Sequence, residues 1–300
     1  MLRSFDYREF PTARLMAAKR GRRLSVCLPA RNEAATIGPT VAAIQQALML
    51  DHALVDELVV MDDGSTDGTA EIAAAAGAMV VTASEVLPEY GTEHGKGQAM
   101  WRAMHVTSGE MVAFCDADID HFDPGFVLGL LGPLMTRDDV CFVKGYYDRP
   151  LEGRPGEGGR VTELMARPLI SVFFPHLAGL HQPLAGECAA RRDILEAVPF
   201  VGGYGVDLGL LIDVSERFGS ASLVQCDLGV RIHRNRPLAE LSVQALAILQ
   251  LALVRAGLCE SNAATFGWTT HLMRPGAEAV PVTLVERPPL IEVPAHRKTA

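Results

Sequence analysis

Apolar and polar positions fall in alternating blocks along the first half of the chain. Leu24-Ser25-Val26-Cys27-Leu28 is a short apolar run, followed by a helical pattern over 34–48. Glu57-Leu58-Val59-Val60-Met61 repeats the strand pattern, and a polar turn leads into an Ala-rich helix over 69–76. Met79-Val80-Val81 reads as a third strand, 97–106 as a helix, and 111–115 as a fourth strand. This βαβα rhythm predicts an α/β fold with a mostly parallel sheet covered by helices. Ligands on such sheets sit beyond the carboxyl ends of the strands. Three polar clusters fall there: 29–33, 62–67 and 116–118.

The second half is less regular. The pattern predicts a strand over 140–147, a Gly/Pro-rich loop over 151–159 and helices over 160–174 and 204–218. A strand over 223–232 runs into His233-Arg234-Asn235-Arg236-Pro237. An amphipathic helix over 238–256 carries Leu241, Ala245, Ile248, Leu249 and Ala252 on one stripe. Its polar face lacks the Lys/Arg cluster of a membrane-surface helix, so packing on the body or on a second subunit is expected. Beyond Gly257 the pattern is loop-rich. There are no internal repeats.

With 300 residues and 49% apolar content the chain can bury a large core. A net charge of -9 argues against a nucleic-acid partner, which needs a basic face. It leaves a phosphorylated small molecule open, because that needs only a local cationic pocket. No signal-peptide core and no uninterrupted run of 18 apolar residues is present, so neither export nor a membrane span is expected. Six dispersed cysteines without a CxxC pair fit reduced thiols in a cytoplasmic protein.

The candidate chemistry starts where Val112-Ala113-Phe114-Cys115 stops at Asp116-Ala117-Asp118. A buried strand that ends in two carboxylates implies a cation, and Mg²⁺ or Mn²⁺ carrying a diphosphate fits. A plain polar turn is the rival account. In Asp62-Asp63-Gly64-Ser65-Thr66-Asp67, capping of the next helix accounts for Asp67 but not for the adjacent acidic pair. Pro29-Ala30-Arg31-Asn32-Glu33 can bind a ribose or merely start a helix. His94-Gly95-Lys96-Gly97 lets backbone and ammonium approach phosphate together, without P-loop spacing. Gly158-Gly159-Arg160-Val161-Thr162-Glu163 before a helix is a second anion-type cluster, or a flexible loop with a cap. The basic run 231–237 offers arginines for phosphate or carboxylate and His233 as a metal ligand, or is an ordinary basic loop.

In this order, Pro-Ala-Arg-Asn-Glu, Asp-Asp-Gly-Ser-Thr-Asp and Asp-Ala-Asp resemble a family-2-like glycosyltransferase of GT-A (Rossmann-like) fold. Gly95-Lys96-Gly97, 159–164, Gln182-Pro183-Leu184-Ala185-Gly186-Glu187, 203–209 and 233–237 resemble the actinobacterial glucosyl- and mannosyl-3-phosphoglycerate synthases. The resemblance covers about 22–289. It implies a retaining, metal-dependent transfer of a hexose from a nucleotide sugar to the 2-hydroxyl of 3-phosphoglycerate, in compatible-solute synthesis. Carried over by position, Pro29, Ala30, Arg31, Glu33 and Asp63 hold the nucleoside, with Asp116 and Ala117 beside the ribose and diphosphate. Lys96 meets the diphosphate or sugar. Asp118 and His233 bind Mg²⁺ or Mn²⁺. Leu184, Tyr204 and Asp207 line the sugar. Gly159, Arg160, Thr162 and Asn235 hold the acceptor, and Arg236 assists at the leaving diphosphate.

The implied division is an N-terminal arm (1–21), a nucleotide-sugar half (22–150), an acceptor half with a dimer-type helix (151–256) and an extension (257–300). Two positions depart from the glucosyl-transferring pattern: Asp63 replaces a serine, and Asp207 replaces a glutamate. Both touch the donor, so GDP-mannose is the expected donor, ahead of GDP-glucose and UDP-glucose. A homodimer is expected. A UDP-glucose-dependent synthase is the alternative. A GT-A enzyme with another acceptor, a polymerising relative, a nucleotidyltransferase and a non-catalytic binding module are less well matched.

Overall fold

A computed structural model describes residues 2–149, 159–233, 237–259 and 267–297. Its strands are β1 (Arg3–Asp6), β2 (Leu24–Ala30), β3 (Glu57–Asp62), β4 (Met79–Thr82), β5 (Met111–Phe114), β6 (Ile119–Asp120) and β7 (Phe142–Asp148). They continue with β8 (Cys188–Arg191), β9 (Phe200–Val201), β10 (Leu223–Val230), β11 (Ile232–His233), β12 (Gly267–Leu272) and β13 (Val280–Arg287). The helices are α1 (Thr12–Lys19), α2 (Ile37–Ile44), α3 (Thr69–Ala75), α4 (Lys96–Val106) and α5 (Gly125–Thr136). After them come α6 (Arg167–Phe173), α7 (Arg192–Glu196), α8 (Val206–Phe218), α9 (Leu238–Arg255) and α10 (Pro294–Arg297).

Eight strands form one sheet in the order β1-β10-β7-β8-β5-β2-β3-β4. Its pairings are parallel except those of β8, which runs antiparallel between β5 and β7. This is the expected mixed, mostly parallel sheet flanked by helices. Alternate residues of each strand feed two cores. Val59, Met61, Val112 and Phe114 pack on one side, and Leu58, Val60 and Ala113 on the other. Burial on both faces is why these strands read as continuous apolar runs.

The central sheet draws strands from three of the four expected segments. The stretch taken as an arm supplies β1, which pairs in parallel with β10, and α1, which packs on α5. Strands β8 and β10 of the second half interleave with β5 and β7 of the first, so one sheet spans both halves. The extension is also structured: β12 and β13 form a hairpin whose second strand pairs with β9. All six cysteines are free, and five are buried.

By length and composition α9 alone, among the described residues, could cross a membrane. Its end is packed in protein, with Ile248, Leu251 and Ala252 buried. The buried amide of Gln250 donates to Trp268 O, Val282 O and Thr270 Oγ1 at 2.8–3.1 Å.

Candidate active site

A cleft of about 560 Å³ opens at the carboxyl ends of β2, β3 and β5. Pro29, Ala30, Arg31 and Glu33 line it from the end of β2, and Asp63 from the end of β3. Lys96 enters from the first turn of α4, and Asp116, Ala117 and Asp118 from the end of β5. Leu184, Tyr204 and Asp207 close the far wall, with Gly159, Arg160 and Thr162 beside them. Fifteen expected site residues, separated by up to 178 positions in sequence, therefore converge on one cavity. Asn235 and Arg236 lie outside the described residues, as does most of the loop expected at 151–159. The backbone of His233 is described, its side chain is not.

Asp62 and Asp63 divide their work. Asp62 accepts from Ser65 N–H at 3.2 Å, which closes the turn after β3. Asp67 accepts from Thr69 N–H (3.1 Å) and Ala34 N–H (3.1 Å), tying the start of α3 to the chain after β2, while the N-cap position itself is Gly68. Asp63 points at the cleft wall, accepting from Gly95 N–H at 2.7 Å and lying 3.2 Å from His94 Nδ1. Burial raises its carboxyl above the ordinary value, against the pull of those bonds. Of the acidic pair that capping left unexplained, Asp62 closes the turn and Asp63 anchors the loop that delivers Lys96.

The centre of the site is a charge cluster. Lys96 Nζ lies 2.7 Å from Asp116 Oδ1 and 3.5 Å from Asp207 Oδ2. Lys144, 2% exposed, reaches the other oxygen of Asp207 at 3.1 Å. Arg231, 1% exposed, lines the floor of the cleft. Its Nη1 donates to Asp116 Oδ2 (3.0 Å), Glu187 Oε1 (2.7 Å) and Tyr147 Oη (2.6 Å), and its Nη2 to Asp118 Oδ1 (2.5 Å). Burial opposes the charge of Asp116, but Lys96 and Arg231 outweigh it and hold the carboxyl far below its usual range. Burial works against Lys96 too, and Asp116 and Asp207 outweigh it, raising its pKa. Glu187 goes the other way: its burial prevails over Arg231 and raises its pKa.

Lys144 was not expected at the site, and Arg231 only as one arginine of the basic run 231–237. Arg231 belongs to the basic run read as a phosphate or carboxylate clamp, yet it turns inward to the protein's own carboxylates. Gly186 permits this geometry, because a Cβ there would collide with the Asp116 carboxylate. A lysine inside the apolar run Cys141-Phe142-Val143-Lys144-Gly145-Tyr146 was the available signal for Lys144, since such a cation stays buried only when paired.

Among the described residues no three His, Cys, Asp or Glu side chains gather as a metal site. The donor set still suits a hard divalent ion. Asp118 lines the cleft, and Mg²⁺ or Mn²⁺ needs only one or two carboxylates when phosphate and water fill the rest. The backbone places His233 opposite Ile119 in the antiparallel β6–β11 pair, next to Asp118. Four carboxylates (Asp116, Asp118, Glu187, Asp207) face three cations (Lys96, Lys144, Arg231), leaving one net negative charge that a cation would neutralise.

The chain is similar to known proteins over most of its length. A family model described as glycosyl transferase family 2 matches residues 25–196. Glucosyl-3-phosphoglycerate synthase of Mycolicibacterium smegmatis is 45% identical over 96% of this chain and 95% of its own length. The enzyme of that name from Petrotoga mobilis is 40% identical over 99% of this chain and 95% of its own. The crystal structure of the Mycobacterium tuberculosis glucosyl-3-phosphoglycerate synthase with Mn²⁺, UDP-glucose and phosphoglyceric acid superposes with a TM-score of 0.86. It is 43% identical and covers 97% of this chain and 98% of that one. A further structure of that enzyme, with Mg²⁺ and UDP, gives a TM-score of 0.85 at 43% identity, over 97% and 98% of the two chains.

Proposed function

This chain belongs to glycosyltransferase family 2 and, within it, to the glucosyl-3-phosphoglycerate synthases, and from that premise we propose that it moves glucose from UDP-glucose to 3-phosphoglycerate. The acceptor oxygen is the 2-hydroxyl, the only hydroxyl 3-phosphoglycerate has. The observation that carries the proposal is the meeting of Lys96, Asp116, Asp118 and Asp207 at the strand ends, one ammonium among three carboxylates.

In this reading Pro29, Ala30, Arg31, Glu33 and Asp63 hold the nucleoside, and Lys96 neutralises the leaving diphosphate. Asp118 and His233 hold Mn²⁺ or Mg²⁺, the ions present in the M. tuberculosis structures, and the ion supplies Lewis-acid stabilisation of the diphosphate. Leu184, Tyr204 and Asp207 frame the glucose. Gly159, Arg160 and Thr162, with Asn235, hold the acceptor's phosphate and carboxylate at the start of the helical run leading into α6. Lys144 braces Asp207 from behind, and Arg236 adds charge at the diphosphate.

The transfer proceeds on one face of the sugar. The bond from the anomeric carbon to the diphosphate oxygen breaks while the acceptor oxygen bonds to the same carbon from the same side. Its proton passes to the departing phosphate oxygen, and retention follows without a glycosyl-enzyme. Glu187 is a poor nucleophile here, because Arg231 holds its Oε1 beneath the cleft.

UDP-glucose replaces the GDP-mannose expected from the sequence. The relatives cited are glucosyl enzymes, and the M. tuberculosis structure holds UDP-glucose. A matrix of UDP-glucose, GDP-glucose and GDP-mannose, each with and without 3-phosphoglycerate, tests this. UDP-glucose should turn over fastest, and only with the acceptor; a preference for GDP-mannose overturns it. We also propose a homodimer through the outward part of α9, where Leu238 stands exposed; a monomer in sedimentation velocity overturns that.

A further inference from the structure

Asp116 and Asp118 are one residue apart, yet their carboxylates are held differently. Both oxygens of Asp116 face protein cations, Oδ1 on Lys96 and Oδ2 on Arg231. Only Oδ1 of Asp118 does, on Arg231 Nη2 at 2.5 Å. Among the described residues Oδ2 of Asp118 accepts no hydrogen bond, and Asp118 lines the cleft. The two halves of the Arg231 guanidinium are correspondingly split. Nη1 is fixed by Asp116, Glu187 and Tyr147, and among the described residues Nη2 serves Asp118 alone. Arg231 Cζ also lies 5.2 Å from the centre of the Tyr147 ring, which limits its freedom further.

We propose that Arg231 is the positioning residue for the divalent ion: it grips one oxygen of Asp118, presents the other to the metal, and helps withdraw Asp116 from coordination. An outer-sphere hydrogen bond that orients a ligating carboxylate is a recurrent device in metal sites. A planar guanidinium suits it, because one fork can hold three partners while the other holds the ligand; a lysine ammonium has no such geometry. The pair Asp116 and Asp118 then has two jobs, with Asp116 the fixed counter-ion of Lys96 and Asp118 the ligand.

The inference rests on the metal-dependent reading above, and the test separates the two. Mn²⁺ binding is followed by loss of the free-ion EPR signal in the presence of UDP. The native protein is compared with Arg231→Lys, Asp116→Asn and Asp118→Asn. Arg231→Lys should bind Mn²⁺ about 10–100-fold more weakly, a change that a purely structural role would not produce in a folded variant. Asp118→Asn should lose binding, and Asp116→Asn should keep most of it. Native protein that binds no Mn²⁺ defeats the metal reading and this inference together. Native binding with unchanged or tighter affinity in Arg231→Lys defeats this inference alone. Should Arg231→Lys fail to fold by circular dichroism, the two aspartate variants decide: equal losses in both overturn the proposal.

Discussion

The two rims of the central sheet both hold polar networks, and they partner their charges differently. At the amino-terminal rim Glu57 accepts from the Ser25 hydroxyl, from Ser108 N–H (2.9 Å) and hydroxyl (2.7 Å), and from Gly109 N–H (3.2 Å). Arg192 donates there to Gly109 O (2.6 Å), Met104 O (2.8 Å) and Thr107 Oγ1 (2.8 Å). Those charges mostly meet neutral hydroxyl and backbone groups. At the carboxyl-terminal rim charge meets charge: Lys96, Lys144 and Arg231 against Asp116, Asp118, Asp207 and Glu187. Neutral partners belong to the fold and cannot be exchanged for a ligand. Charged partners can be re-partnered when a diphosphate and a metal arrive. The first rim should therefore carry stability and the second binding and catalysis.

The strongest way to break that contrast is Asp118→Asn. Its kcat/KM should fall roughly 10³-fold, near the upper end of what one lost electrostatic group costs. The metal-free protein should melt no lower than native, because the change removes the excess negative charge of the cluster. A melt several degrees lower would place Asp118 with the structural groups instead. Lys96→Met should follow with a loss of about 10²-fold, mostly in kcat, because the role proposed for Lys96 is to meet charge that develops on the leaving group. An equal loss from raised KM alone would show that it binds donor and transition state alike.

Lys144→Met sharpens the comparison from the other side. Lys144 lies behind Asp207 and does not line the cleft. Its loss should raise KM for UDP-glucose about 10-fold through a displaced Asp207, consistent with a supporting group, and should change kcat less. Unchanged KM would make Lys144 a stability residue only.

How far the sequence revealed this follows from what each residue depends on. The ends of β2, β3 and β5 were legible because each apolar run stops at a polar cluster, and Glu33, Asp63 and Asp118 sit at or near those stops; Lys96 was legible from the glycines around it at the start of α4. Helix α5 was not, because Gly129, Gly132 and Pro133 contradict a helical pattern. The glycines are there because Tyr7 and Leu228 pack on one and Phe10 on the other, contacts made by distant parts of the chain. Strand β8, Cys-Ala-Ala-Arg, has no β-branched residue and is a strand only because β5 and β7 flank it. Arg231 read as one more member of a basic run, since nothing local shows that its partners Asp116 and Glu187 lie 115 and 44 residues away. The donor was read from two single-residue departures, Asp63 and Asp207, and the relatives reported above favour the UDP-glucose alternative over the GDP-mannose expected from them.

The smallest expected effect lies at the opposite rim. Glu57→Gln should lower stability by about 1.5–3 kcal/mol, the scale of hydrogen bonds to a charged group, and leave kcat/KM unchanged. Its pH dependence makes the test specific. Burial acts to raise the Glu57 carboxyl, but the bonds from Ser25 and Ser108 outweigh it and lower the pKa below 4.5. The folded state therefore binds this proton less tightly than the unfolded chain does. The stabilisation is fully present above the unfolded value and is lost as pH falls through it toward the folded one. Urea unfolding between roughly pH 6 and pH 3 should show native protein losing stability more steeply than Glu57→Gln, so that the two curves converge in acid. Parallel curves, or a matching drop in kcat/KM at neutral pH, would mean that the two rims are not divided between stability and catalysis.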